Sequence, residues 1–156
     1  MPTSRRINPD VDLRVPADRR ELDAHPTAVL GVVAAGGALG ALVRAAAQAA
    51  LPHSPTGFPW STFGVNVLGC LLIGALMAMI GRRRVPPLTR PFLGVGVLGG
   101  FTTFSAYTVE AHRAFLAGAA GTALAYLAAT LVAGLAAVVA GDALVARVLD
   151  RRGGRR

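Results

Sequence analysis

Four long apolar runs, joined by connections too short to hold a soluble domain, constrain this chain more than any other feature. They extend from about Thr27 to Ala50, Ser61 to Ile80, Phe92 to Phe115 and Ala119 to Val145. Each is near the roughly 20 residues that a helix needs to cross a bilayer's hydrocarbon core. With 53% hydrophobic residues and a mean hydropathy of +0.53, the surface cannot be largely polar. Most enzyme folds are thereby excluded, and no enzymatic activity is expected. The expected fold class is an all-α membrane protein with four transmembrane helices.

The charge looks at first like that of a nucleic-acid-binding chain. All 16 basic residues are arginine against 8 acids, giving +8. Their positions argue otherwise, because they flank the apolar runs instead of forming a basic face. No nucleic-acid partner is expected. Residues 1–26 mix arginines with acids and prolines, lack a signal-peptide core, and read as a disordered cytoplasmic tail. Residues 27–146 form the four-span domain, and 147–156 an arginine-rich tail. Fourteen arginines fall in the two tails and the second connection, leaving only Arg44 and Arg113 for the other face. Both termini are therefore expected in the cytoplasm. The single cysteine, Cys70, lies within an apolar run and reads as a small buried hydrophobe.

Small residues such as Gly36, Gly37, Gly40, Gly94 and Gly96 let membrane helices approach closely. Four short spans enclose little volume, so oligomerisation is expected. Polar residues at membrane depth carry the functional signal, because unsatisfied polar groups are costly there. Asn66 either serves a pathway or bonds a neighbouring helix. In the third span, Gly99-Gly100-Phe101-Thr102-Thr103-Phe104-Ser105 favours a helix break that frees backbone carbonyls. Such carbonyls suit a cation, while the hydroxyls and the ring edges of Phe104 and Tyr107 suit a small anion. The competing possibility is that Thr102, Thr103, Ser105 and Thr108 bond back to their own helix. Tyr126, Thr130 and Gly134 share a face of the fourth span. Arg44 either draws anions into a vestibule or snorkels to the interface. Glu110 either pairs with an arginine or caps a pathway.

Taken together, these residues resemble the Fluc/CrcB family of bacterial fluoride channels. The resemblance covers about Ala35 to Gly141. It rests on Gly99 to Ser105 followed by Glu110, on Gly36 to Arg44, and on Val65-Asn66-Val67-Leu68-Gly69. It implies an antiparallel dimer in the cell membrane, with two fluoride pores and a central structural Na⁺ that is not transported. Carried over by position, Gly99 and Thr102 would bind Na⁺ through their carbonyls. Asn66, Phe104, Ser105, Tyr107, Tyr126 and Thr130 would line the fluoride pathway, with Arg44 and Glu110 in the vestibules. The chain departs from the family pattern in two places. Tyr107 stands where a second phenylalanine is usual, which adds a hydroxyl donor, and Gly134 removes one hydroxyl from the polar track.

The implied function is passive fluoride export. A small multidrug-type antiporter is the alternative, but it would want a carboxylate deep in the first span, which holds only Arg44. A structural subunit without a pathway would not need the break. The arginine asymmetry raises a separate expectation about partners. A chain that forms an antiparallel dimer with itself should carry little topological bias, and this one is strongly biased. The expected partner is a second copy of the chain or an oppositely oriented paralogous subunit, and the bias points to the paralogue.

Overall fold

The fold, obtained as a computed structural model, describes residues 26–153. Among these, all regular structure is helical: α1 (Pro26–Ala50), α2 (Trp60–Arg82), α3 (Arg90–Leu98), α4 (Gly99–Phe101), α5 (Phe104–Leu116) and α6 (Ala120–Gly153). Together α3, α4 and α5 make the third span, so four segments are long and apolar enough to cross a membrane. The long helices satisfy their interior backbone groups, as a lipid environment demands.

The apolar surface lies largely on the outside. Leu30, Leu42, Val132 and Val139 are all exposed, whereas buried side chains such as Val65, Ala78 and Ala114 are mostly small. Lipid takes the place of water around such a bundle, so close backbone approach must supply much of the packing. Two seams show this. At Gly40 a Cβ would run into the Val97 carbonyl, and at Gly100 into that of Gly37, so α1 lies directly against α3 and α4. In the second seam, Gly74 faces the Val138 carbonyl and Gly141 faces that of Leu71, which joins α2 to α6.

The turn between α5 and α6 is equally determined by local chemistry. Gly118 adopts φ +78, Ala119 N donates to Ala114 O at 2.9 Å, and Gly118 N to Phe115 O at 3.0 Å. This pair of bonds is the Schellman closure, which places glycine in the left-handed position. The expected span boundaries hold to within a few residues except at the end. The fourth helix continues beyond Val145 through Arg147 and Arg151 to Gly153, because no proline or capping glycine stops it earlier. The expected N-terminal tail lies, up to residue 25, outside the described residues.

Candidate functional site

The third span breaks where its sequence predicts. Thr102 (φ −77, ψ 157) and Thr103 (φ −149, ψ 123) are extended, between the end of α4 and the start of α5. Winding changes before the break as well, since α3 is π-helical, a form that often accompanies functional positions.

Side chains hold the break open. Asn66 from α2 donates its Nδ2 to Thr103 O at 3.0 Å and accepts from Thr103 N at 2.8 Å. Thr103 in turn caps α5, its hydroxyl accepting from Ala106 N at 3.1 Å. In a continuous helix, Thr103 N would serve the carbonyl of Gly99, and Ala106 N that of Thr102. Both donors are diverted to side chains, so these two carbonyls lose their helical partners. The neighbouring carbonyl of Gly100 is treated differently, accepting Arg44 Nε at 3.0 Å. Arg44 therefore turns inward onto the break, and the snorkelling alternative is not what the fold adopts.

Beside the break lies a groove of about 530 Å³, lined among others by Asn66, Gly99, Thr102, Phe104, Tyr107 and Thr130. Its polar groups are few and specific. Asn66 gives only one of its two amide N–H groups to Thr103, and among the described residues the buried hydroxyl of Thr130 has no hydrogen-bond partner. Phe104 is 77% exposed and packs against Tyr107 at 5.8 Å between ring centroids. Gly134 also lines the groove, and a Cβ there would meet Cys70 Sγ at 3.3 Å. Ser105 is exposed beside Thr103, its hydroxyl 3.3 Å from that of Thr103.

The remaining predicted residues fall into a second cluster. Glu110 accepts from Thr62 Oγ1 at 2.8 Å and from Tyr126 OH at 3.0 Å, so it pairs with hydroxyls and not with an arginine. Tyr126, 1% exposed, packs against Tyr107 with tilted rings 5.3 Å apart and meets Phe58 edge-on at 5.5 Å. That ring contact joins the cluster to the groove. The hydroxyl of Tyr107, expected as an additional donor along the pathway, instead donates to the Leu127 carbonyl at 2.9 Å. Two hydroxyls do bond back to their own helix: Thr102 to Leu98 O at 2.8 Å, and Thr108 to Phe104 O at 3.2 Å.

Sequence reasoning missed Thr62 and Gln48. Gln48 Nε2 donates to Thr62 Oγ1 at 3.1 Å. Both sit near helix ends, where polar residues are unremarkable. The only available signal was that Gln48 lies one helical turn beyond Arg44.

Comparison with known proteins bears on the same residues. The profile described as CrcB-like protein, Camphor Resistance (CrcB), matches residues 31–142, which include both clusters. A fluoride-specific ion channel FluC 2 of Thermobifida fusca is 56% identical over 129 residues, covering 82% of this chain and 96% of that protein. FluC 2 of Streptomyces avermitilis is 50% identical over 126 residues, covering 79% and 78% respectively. FluC of Deinococcus radiodurans is 45% identical over 118 residues, covering 74% and 94%.

Proposed function

The chain belongs to the CrcB-like family, and from that premise we propose that it is a fluoride-selective channel that exports fluoride passively across the cell membrane. One observation carries this most directly. Around the broken third span, the Asn66 amide of α2, the Thr130 hydroxyl of α6 and the rings of Phe104 and Tyr107 line one groove, with no carboxylate among the described lining residues. Fluoride is small and tightly hydrated, so a pore must replace its water with N–H and O–H donors and with electropositive ring edges. Asn66 and Thr130 supply the donors, and Phe104 and Tyr107 the edges. Fluoride entering a cell as neutral HF ionises inside, and the negative interior potential drives the anion outward at about 2.3 kcal/mol per 100 mV. The pathway needs no covalent chemistry, which favours a channel over an enzyme. A multidrug-type antiporter is not favoured, since the first span offers no carboxylate.

The groove is not enclosed and its Phe104 ring is exposed, which supports an antiparallel dimer in which a second subunit completes two pathways. The carbonyls of Gly99 and Thr102, whose helical donors are diverted, also fit the Na⁺ that such a dimer would hold, because carbonyl oxygens released from a helix suit a hard cation. Bound there with the equivalent carbonyls of the second subunit, Na⁺ would offset the dipoles that two breaks bring together. Arg44 contributes by occupying Gly100 and leaving the other two carbonyls to the cation. The arginine bias supports cytoplasmic termini and a paralogous partner of opposite orientation.

Ion efflux from liposomes loaded with fluoride or chloride tests the proposal. Rapid fluoride release with chloride retained is expected when the chain is reconstituted with any partner subunit it requires. Equal release of both ions, or of neither, would refute it.

A further inference from the structure

One hydrogen-bonded chain of side chains crosses all four spans near the 51–59 connection, and it includes a residue with no part in the pathway described above. Gln48 comes from α1, Thr62 from α2, Glu110 from α5 and Tyr126 from α6. Gln48 donates to Thr62 at 3.1 Å, Thr62 donates to Glu110 Oε1 at 2.8 Å, and Tyr126 donates to Glu110 Oε2 at 3.0 Å. Thr62 is 0% exposed. No water can replace a lost partner there without rearrangement.

Chemistry sets the direction of this chain. An amide N–H can only donate, an ionised carboxylate can only accept, and a threonine hydroxyl has one proton to give. Because the Glu110 carboxylate takes the one Thr62 proton, Gln48 meets that hydroxyl as a donor to its lone pair. The ordinary alternative for a helical threonine is to bond back to its own preceding turn. Thr102 and Thr108 do this in the same protein. Thr62, in the first turn of α2, has no preceding helical turn to bond and donates to Glu110, while Gln48 occupies a lone pair of the same hydroxyl.

We propose that Gln48 is a positioning residue for the Glu110 carboxylate. By orienting the Thr62 hydroxyl it keeps one donor on each carboxylate oxygen, and so fixes the negative charge behind Tyr126, whose ring packs on the groove-lining Tyr107. A carboxylate released from this pairing would repel an approaching anion over a few ångströms. The role in flux rests on the fluoride-channel reading, whereas the linkage itself rests on the hydrogen bonds alone.

The test uses two readouts on the full chain, reconstituted with any partner subunit it requires. Glu21 and Glu110 are its only glutamates, so isotope-labelled glutamate gives an infrared carboxylate signal from just these two. Gln48→Met should shift and broaden the Glu110 band and slow fluoride efflux about tenfold, the equivalent of one hydrogen bond to a charged group. Thr62→Val should do the same, Thr62→Ser should restore both readouts, and the Gln48→Met/Thr62→Val pair should be no worse than either single change. An unchanged band in Gln48→Met, or additive losses in the pair, would overturn the proposal. A chain that carries no fluoride while its band still responds to Gln48→Met would refute the channel reading and uphold the linkage.

Discussion

Asn66 serves two purposes with one amide. Its carbonyl oxygen and one N–H close a two-bond clamp on Thr103, while the second N–H lies outside that clamp on a residue that lines the groove. Asn66→Asp keeps the acceptor, loses both donors and adds a negative charge beside the proposed pathway. Fluoride efflux should fall by about a hundredfold or more, given the repulsion between two like charges at close range. Liposome flux checks this, and an unchanged rate would remove Asn66 from the pathway. Tyr107 poses a different question. Its hydroxyl is committed to Leu127 O, so only its ring is available to the groove. Tyr107→Phe should leave fluoride-over-chloride selectivity unchanged and lower stability by about 0.5–1.5 kcal/mol, the net value of one hydrogen bond. Paired efflux and thermal-unfolding measurements would show both effects.

At the scale of elements, glycine placement determines how closely the helices approach. Gly40 and Gly31 occupy the same helix, yet a Cβ at Gly40 meets the Val97 carbonyl and one at Gly31 meets nothing within 4 Å. Gly40→Ala should destabilise the protein by about 1–3 kcal/mol through overpacking. Gly31→Ala should be neutral or stabilise by up to about 1 kcal/mol through helix propensity. Unfolding of the two variants in the same lipid or detergent distinguishes them. The broken span follows similar logic. Its glycines and threonines made a break legible in the sequence, but they did not reveal that Asn66 and Thr103 divert the donors that free Gly99 and Thr102.

For the whole molecule, the arginine distribution has a measurable consequence. Fourteen of 16 arginines fall on one predicted face. Topology reporters fused to either terminus should report one cytoplasmic orientation in large excess. Similar amounts of both orientations, or full fluoride flux from this chain alone, would favour a dimer of identical subunits. The exposed Phe104 and the open groove give this prediction its structural interest, because the proposed second subunit would cover them.

The sequence by itself determined the four spans, the break and the family resemblance. Each apolar run must satisfy its own backbone in lipid, so its length and composition suffice to identify it. What the tertiary structure decided was the partner of each polar side chain. Arg44 turned to Gly100, Tyr107 to Leu127, and Glu110 to Thr62 and Tyr126. These pairings depend on which helix faces meet across 16 to 56 residues of chain. A hydroxyl or amide has the same local sequence context whether it lines a groove or clamps a neighbour. Only the packing of the four spans distinguishes the two.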